Sequence, residues 1–350
     1  MPSRPRSEVI DPTEVGIYHC WNRLVRQRCL FGFDRFTRQD FSHRKDWLRQ
    51  QFRLLAADMG IQVLDYAILD NHLHVVLRNR PDIVADWSDK EVALRWWRVC
   101  PRRRSKDGSP SEPRESELTE LRKHVNEYRQ RLSSISWMMR LAQQRVARRS
   151  NSEDQVDGRF FASRFGCQRL RDIESVLRCS LYVDLNWIRA GMADKPEDSR
   201  YTSAFERIQS RWEQATGRND STGFTFGDWL APIQNSENAV KPKEMTTQAK
   251  HHVFTTRGNE LEICQGSYWH KSNPVGSPRV SDAGFLPMTL TEYLKLLDAA
   301  GRLQGKEKRH SIPKDLPPIL RRLGIDPQVW SESVSLMLRN VPRHCKLIPV

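Results

Sequence analysis

The chain has 350 residues, which is long for a single hydrophobic core. Its residues are 38% hydrophobic and 29% charged, and this hydrophobic fraction suffices for a folded core. Its 57 Lys and Arg residues against 43 Asp and Glu give a net charge of +14, which favours a polyanionic partner, either nucleic acid or an anionic membrane. No apolar stretch approaches the length of a membrane-spanning helix, so nucleic acid is favoured and no membrane partner is expected. Seven cysteines without a CxxC pair, and an N-terminus without a signal peptide's apolar core, predict a cytoplasmic protein.

The first predicted elements are strand, helix and strand. Residues 1–14 are expected to be a disordered lead, and residues 15–26 have the propensity of a first strand. A helix is predicted over 40–60, because four apolar residues recur there at helical spacing: Leu48, Phe52, Leu55 and Met59. Residues 66–78 follow as a strand rich in aliphatic residues. This order predicts an α+β or α/β core.

The second predicted strand contains His72-Leu73-His74. Because side chains alternate along a strand, His72 and His74 share one face and Leu73 takes the other. The two imidazoles then project in parallel from Cα atoms roughly 7 Å apart, and together can bind one divalent metal ion. His19 on the first strand is a candidate third ligand, although a lone His in a strand is more often a packing or surface residue.

A basic helical insertion is predicted at about 82–150. A capping box from Ser88 to Glu91 begins a short helix, and further helices are predicted over 115–132 and 134–149. Arginines crowd the last of these with few acidic neighbours, which favours phosphate contact over a merely solvated helical face. These candidate DNA-binding residues are Arg140, Arg145, Arg148 and Arg149.

Residues 158–169 are predicted as another strand, in which aromatic residues are interleaved with Arg159, Arg164 and Arg169. This pattern suits single-stranded nucleic acid, whose bases stack and whose phosphates pair with arginine. It equally suits an ordinary strand with a polar outer face, so both interpretations stay open.

A long helix is predicted over 172–190, ended by Gly191. One apolar stripe is expected to face the core: Ile173, Leu177, Leu181, Leu185 and Ile188. Tyr182 and Asn186 are four residues apart and share a face beside that stripe. Taken alone, such a pair is usually a boundary tyrosine and an inert asparagine.

The rest of the chain is predicted to contain a helix, a linker and a second folded region. A helix over 202–212 is followed by a polar linker at 213–252 and a small, mostly helical region at 253–350. That region has a capping box at Thr289, a basic loop at 305–314, and short helices begun by Pro317-Pro318 and Asp326-Pro327.

The basic charge, the His-x-His strand and the Tyr-x3-Asn pair together resemble the HUH superfamily of single-strand DNA nucleases, where U is a hydrophobic residue. Within it, the match is to one-tyrosine transposases of the REP-associated, IS200-like group. Four stretches within about residues 15–210 carry the resemblance: Tyr18-His-Cys-Trp-Asn-Arg23, Leu69-Asp-Asn-His-Leu-His-Val-Val-Leu77, Gly158-Arg-Phe-Phe161 and Tyr182-Val-Asp-Leu-Asn-Trp-Ile-Arg-Ala-Gly191.

The resemblance implies an antiparallel sheet with flanking helices, of the ferredoxin-like kind, over residues 15–212. It also implies that His72, His74 and Asn186 hold Mg²⁺ or Mn²⁺ and that Tyr182 is the nucleophile. The expected partner is DNA, single-stranded with a hairpin, bound by a monomer or homodimer associated with the nucleoid. Two departures are Trp187, where the family often has Pro, and the long segment between the His strand and Gly158.

Two other functions remain open at this point. The chain could be a catalytically inactive DNA-binding protein derived from a transposase. It could also be a metal-dependent hydrolase in which a carboxylate, Asp70 or Asp65, joins His72 and His74, since alternation places Asp70 on the histidine face.

Overall fold

A computed structural model describes residues 6–106, 108–216, 226–234, 278–303 and 310–323. The helix expected after Asp326-Pro327 lies outside the described residues, as does most of the predicted linker.

The centre of the molecule is a four-stranded antiparallel sheet. The strands are β1 Gly16–Arg23, β2 Phe33–Asp34, β3 Gln39–Asp40, β4 Ile61–Ile68, β5 His72–Asn79 and β6 Gly166–Leu170. The main sheet has the order β4-β5-β1-β6, and β2 pairs with β3 in a separate small hairpin. The predicted α+β class with an antiparallel sheet is confirmed.

Helices cover both faces of this sheet. They are α1 Arg6–Val9, α2 His43–Asp58, α3 Pro81–Asp86, α4 Asp89–Val99, α5 Glu115–Arg122, α6 Val125–Leu132, α7 Ile135–Asp154, α8 Ile173–Asp184, α9 Asn186–Arg189, α10 Ser203–Thr216, α11 Leu290–Arg302 and α12 Ile319–Arg322. Helices α2 and α4 to α7 contribute to one apolar cluster, and α8 to α12 contribute to another. None of the helices in the described part of the chain has the length and apolarity that crossing a membrane requires.

The two clusters meet opposite faces of β5. Leu73, Val75 and Leu77 join the cluster with α2, which we call the apolar face. Val76 joins the cluster with α8, which we call the site face. Such alternation was predicted, and the predicted apolar stripe of α2 is fully buried.

The single strand predicted over 66–78 is wrong, because it spans a hairpin. Strand β4 ends at Ile68 and β5 begins at His72, with the Leu69 N–H donating to the His72 carbonyl across the turn at 2.9 Å. The turn contains Asp70 and Asn71, residues that favour turns. Because both faces of β4 are buried, its sequence does not alternate and the strand boundary was hidden. Asp70 therefore lies in the turn and not on the histidine face.

The strand predicted over 158–169 is wrong in its first half. Gly158 has φ of +115°, and Phe160 is buried with its ring 5.5 Å from that of Phe31. The aromatic residues fill the core, so regular pairing begins only at Gly166.

Two long predicted helices are each broken. The helix over 115–132 divides into α5 and α6, and the helix over 172–190 divides into α8 and α9 at Leu185. Gly191 ends α9 with φ of +69°, as the sequence indicated. The predicted helix over 202–212 is confirmed and extends to Thr216.

Segments predicted to be peripheral pack on the sheet. Within the predicted linker, Trp229 is fully buried, and the Ala231 N–H donates to the carbonyl of Val63 in β4 at 2.8 Å. In the C-terminal region, Tyr293 and Leu297 are buried on the site face. Residues 6–9 form α1 in place of the expected disorder. The described parts of 213–252 and 253–350 therefore contact the part of the chain that contains the sheet.

Candidate active site

Two histidines of the central strand β5 form the base of the site. His74 lies opposite Ala67 of β4 and Trp21 of β1, and His72 lies opposite Arg23 at the end of β1. Their ring centroids are 5.1 Å apart. Because β5 is an inner strand, neighbouring strands hold both sides of its backbone and fix the direction of the imidazoles.

Helix α8 brings Tyr182 to these histidines. The phenol ring meets the His74 imidazole edge-on, with centroids 5.4 Å apart and an interplanar angle of 84°. The Tyr182 side chain is 40% exposed, whereas His74 is 8% exposed. The phenol thus borders solvent above a buried imidazole, where it can meet a ligand that enters from outside.

The orientation of α8 differs from the predicted apolar stripe. Ile173 is 58% exposed, while Val176, Cys179 and Val183 face the sheet. The physical reason is a buried hydrogen bond: Ser180, on the inner side of α8, donates to the buried carboxylate of Asp65 at 2.6 Å. A pattern that assigns polar residues to the outside places the helix face incorrectly.

His19 of β1 also belongs to the site. Its Nε2 lies 3.0 Å from Nδ1 of His74, and its ring centroid lies 6.2 Å from that of Tyr182. An imidazole bound through Nδ1 keeps Nε2 for a ligand, and the partner at Nδ1 fixes the ring orientation. His19 was predicted from the sequence as a candidate metal ligand. The geometry instead makes His19 the hydrogen-bond partner of a candidate ligand, His74.

Hydrogen bonds also set which ring nitrogen of each histidine is free. Asn71 Oδ1 lies 2.6 Å from Nδ1 of His72 and can only accept, so Nδ1 carries the hydrogen and Nε2 has a lone pair. When His74 donates from Nδ1 to His19, its Nε2 also has a lone pair. Both histidines are then in the tautomer that a metal or a phosphate-bound water requires.

Burial keeps these imidazoles uncharged. It lowers the pKa of His72 to about 4, with a further contribution from the positive charge of Arg23. It lowers the pKa of His74 to about 2, and the pKa of His19 to about 4. Neutral imidazole is the form that binds metal ions.

Asn186 is the first residue of α9, one turn beyond Tyr182, and is 9% exposed. Its side-chain nitrogen Nδ2 is buried and has no hydrogen-bond partner in the part of the chain that the structure describes. The unpaired atom is an N–H donor, so it can donate to an oxygen of a bound phosphate, whereas only the amide oxygen could bind a metal ion. Two neutral imidazoles and an amide oxygen are donors that fit Mn²⁺ or Mg²⁺ completed by oxygen ligands. Over residues 6–106, 108–216, 226–234, 278–303 and 310–323, no three His, Cys, Asp or Glu side chains are grouped so as to hold a metal ion.

The carboxylates that a hydrolase would use are engaged elsewhere. Asp70 accepts from Lys45 Nζ at 2.6 Å in the β4–β5 turn. Asp65 is fully buried and accepts from Arg207 at 2.7 Å and from Ser180. These ion pairs disfavour the hydrolase alternative.

Two arginines flank Tyr182 along the chain, Arg178 and Arg189. Arg178 is paired with Glu174 on the exposed side of α8. The guanidinium carbon of Arg189 lies 5.8 Å from the centroid of the Tyr182 ring, and burial lowers the pKa of this guanidinium. Arg189 is the arginine that the geometry places beside the phenol.

The predicted DNA-binding arginines occupy different surroundings. Arg140 is exposed beside the Trp137 ring, Arg149 lies over the Trp47 ring, and Arg148, Arg159 and Arg164 are exposed. Arg145 is directed inward, donating to Gln51 Oε1 at 3.1 Å and to the Val99 carbonyl. Arg169 is paired with Glu14 at 3.0 Å. Arg145 and Arg169 thus have protein partners, and the group does not form one continuous patch on a single element.

Trp187, which departs from the family pattern, has a structural role. Its indole Nε1 donates to the carbonyl of Ile68, at the end of β4, at 2.9 Å. This bond fixes α9 beside the turn that precedes His72. This contact was not predictable from the sequence, because it joins residues that are distant along the chain.

Comparisons with known proteins complete the description. No family model matches the chain, and no curated protein matches it. Among solved structures, the chain is similar to one described as "Structure of the REP associates tyrosine transposase bound to a REP hairpin", at 12% identity and a TM-score of 0.32. The similarity covers 60% of this chain and 86% of that one. Similarity at this level does not assign the chain to a family.

Proposed function

We propose that this protein is a transposase-like single-strand DNA endonuclease and strand transferase in which Tyr182 is the nucleophile. The observation that carries the proposal is the contact of the Tyr182 ring with His74, which joins two parts of the chain far apart in sequence. The family resemblance linked these residues, and their contact supports the proposal. The basic charge of +14 supports a nucleic-acid substrate.

In the proposed reaction, the Tyr182 oxygen attacks the scissile phosphorus. A phosphorus–oxygen bond to tyrosine forms, the bond to the 3′ oxygen breaks, and the products are a 5′-phosphotyrosine and a free 3′-hydroxyl. The phenolic proton leaves to solvent, and the departing 3′ oxygen takes up a proton. Since the phosphotyrosine retains a phosphodiester bond, attack by another 3′-hydroxyl joins two strands without ATP.

The surrounding residues would prepare this step. The guanidinium of Arg189, 5.8 Å from the centroid of the Tyr182 ring, would offer its positive charge to the reacting oxygen and phosphate. His72, His74 and Asn186 would hold Mg²⁺ or Mn²⁺, which withdraws charge from a non-bridging phosphate oxygen when bound. His19 and Asn71 would keep the two imidazoles in the required tautomer.

Tyr182 would act within its own chain, because its ring already lies against the histidines of the same chain. A monomer would then be competent, and a homodimer would contain two complete sites. A cytoplasmic, nucleoid-associated location and a hairpin in the DNA substrate remain predictions from the resemblance.

The experiment is adduct formation with a pool of labelled DNA hairpins flanked by randomised single strands, in the presence of Mn²⁺. We expect a covalent protein–DNA band on a denaturing gel for the unaltered protein and none for Tyr182→Phe. Tyr128→Phe is the matched control, because Tyr128 is 8% exposed and stacked on Trp96, so only its hydroxyl is removed from a position outside the site. An adduct that survives Tyr182→Phe would assign the nucleophile elsewhere.

A further inference from the structure

The small hairpin of β2 and β3 exposes two phenylalanines. Phe33 is 56% exposed, and Phe36, in the turn of the hairpin, is 83% exposed. The value for Phe36 is the highest among the large exposed hydrophobic residues of the described chain. Leaving an aromatic ring in water forgoes the free energy of burying it. Exposed apolar groups that a rigid element presents commonly mark binding surfaces.

The turn that presents Phe36 is held rigidly. Asp34 is 1% exposed and accepts from the Thr37 backbone N–H at 3.0 Å and from the Thr37 hydroxyl at 2.8 Å. Arg28 pairs with the same carboxylate, and these hydrogen bonds lower the pKa of Asp34 to about 2. The Arg38 backbone has φ of +56° and its N–H donates to the Asp34 carbonyl at 2.8 Å. The backbone that carries the exposed ring is therefore held in place before any ligand binds.

Arginines without carboxylate partners lie in the hairpin turn and in the segment that precedes the hairpin, and the guanidinium carbon of Arg28 lies 5.6 Å from the centroid of the Phe36 ring. Arg23, Arg26, Arg35 and Arg38 are all exposed. None of the four forms an ion pair with any residue that the structure describes. The neighbouring carboxylate of Asp34 is neutralised by Arg28, and that of Asp40 accepts from the backbone and hydroxyl of Ser42. The surface is thus basic and aromatic, which is complementary to a polyanion with flat, apolar rings.

The hairpin is joined directly to the candidate active site. The Phe31 N–H donates to the Asp70 carbonyl at 2.9 Å, and the Leu24 N–H donates to the Asn71 carbonyl at 2.9 Å. A Cβ on Gly32 would come within 2.2 Å of the Asp70 carboxyl group, so only glycine allows this close approach. Arg23 lies opposite His72 in the β1–β5 register. The segment before the hairpin and the strand that carries His72 thus share the β4–β5 turn as a common neighbour.

We infer that this surface, formed by Phe33, Phe36, Arg23, Arg26, Arg35 and Arg38, is a stacking platform for an unpaired base of single-stranded DNA beside the cleavage site. The inference rests on the proposed function for its substrate and extends it to a surface that the sequence did not single out. Unpaired bases offer a free aromatic face, and arginines contact the flanking phosphates. A fully paired duplex offers no such face along its length.

The test measures DNA binding without cleavage, in the full-length protein carrying Tyr182→Phe. The probe is a labelled single-stranded oligonucleotide pool of about 16 nucleotides and mixed sequence, followed by fluorescence anisotropy. Phe36→Ala is expected to raise Kd by about 5- to 100-fold, the range measured for loss of one stacked base, and Phe36→Trp to keep Kd within about twofold. Leu303→Ala is the matched control, since Leu303 is 54% exposed at the end of α11.

Two further arms separate stacking from other effects. With a fully paired duplex of the same pool, Phe36→Ala is expected to leave Kd unchanged, and an equal loss on duplex and single strand would overturn the inference. Arg35→Ala with Arg38→Ala should lower the slope of log K against log salt by about 1.4, or 0.7 for each lost phosphate contact on a single strand. An unchanged Kd for Phe36→Ala also overturns it.

Failure of this inference can be told from failure of the proposed function. A protein that forms adducts normally, but whose Kd does not depend on Phe36, retains the nuclease function and lacks the platform. A protein that never forms an adduct, but binds single strands through Phe36, has the platform and is not a nuclease. Because Phe36 is exposed, its substitution is not expected to change the unfolding temperature, which serves as the folding check.

Discussion

The two faces of the central sheet are stabilised in different ways. On the apolar face, β5 contributes only aliphatic side chains, which pack against helix residues such as Leu48 and Phe52. On the site face, apolar contacts surround a buried polar network, in which Asp65, Asp184 and Arg207 are each at most 6% exposed. Burial and the charge of Asp65 raise the pKa of Asp184 to about 6. Apolar packing dominates one face, where a buried ion pair of Arg98 with Asp58 at 2.9 Å joins α4 to α2. The other face depends on a larger network, whose hydrogen bonds must all be complete.

The network fixes the helix that carries the nucleophile. Asp184, two residues after Tyr182, accepts from the Ala204 N–H at 2.9 Å and from the Tyr293 hydroxyl at 2.6 Å. Arg207 pairs with Asp65 of β4 at 2.7 Å. The position of α8 over the histidines is therefore set by partners on β4, α10 and α11. Polar side chains specify one geometry because few alternative arrangements satisfy all of them.

The largest expected effect comes from breaking the buried ion pair on the site face. Arg207→Met leaves the Asp65 carboxylate buried without its cation, and we expect a loss of about 3–5 kcal/mol in the free energy of unfolding. Phe52→Ala on the apolar face should cause a comparable loss, because it creates a cavity costing about 3–5 kcal/mol. Urea denaturation measures both.

A further substitution tests whether the site face depends on its ion pair. Adding Asp65→Leu to Arg207→Met removes the unpaired charge and should recover much of the lost stability, since paired removal of buried ions is often close to neutral. A double variant as unstable as Arg207→Met alone would show that the face depends on packing and not on completeness of its ion pair.

The sequence predicted the apolar face better than the site face. The helical spacing of Leu48, Phe52, Leu55 and Met59 identified buried residues correctly, because periodicity reports apolar burial. The same rule was partly correct for the predicted helix over 172–190: Leu185 and Ile188 are buried, but Ile173 is exposed. It missed Ser180 and Asp184, which point inward to partners that appear only in the fold. His72, His74 and Tyr182 were identified together through a family resemblance, and their contact is a property of tertiary structure.

A smaller effect is expected at the junction of α8 and α11. Tyr293→Phe removes the hydroxyl that donates to Asp184, while the ring remains to fill the fully buried space. We expect a loss of about 1.5–3 kcal/mol, the range for hydrogen bonds to charged groups, measured by thermal or urea unfolding. A detached C-terminal region would instead leave the stability of the site face unchanged. Tyr128→Phe, whose ring is stacked on Trp96, is the control for loss of a tyrosine hydroxyl.

The smallest expected effect concerns the geometry of the site itself. His19→Ala removes the partner of His74 Nδ1, so the His74 ring loses the hydrogen bond that fixes its tautomer and orientation. Loss of such a partner typically weakens metal binding by about 10- to 100-fold, and we expect this range for Mn²⁺, measured by calorimetry or electron paramagnetic resonance. His43→Ala is the matched control, because His43 pairs with Glu153 outside the site.

A second variant separates a ligand from a positioning residue. If His19 were itself a ligand, the loss of Mn²⁺ affinity would exceed this range and His19→Gln would not restore binding. If His19 only positions His74, the glutamine amide can replace the hydrogen bond in part. Unchanged Mn²⁺ affinity in His19→Ala would show that the sheet alone orients His74, and the site face would then resemble the apolar face in relying on packing.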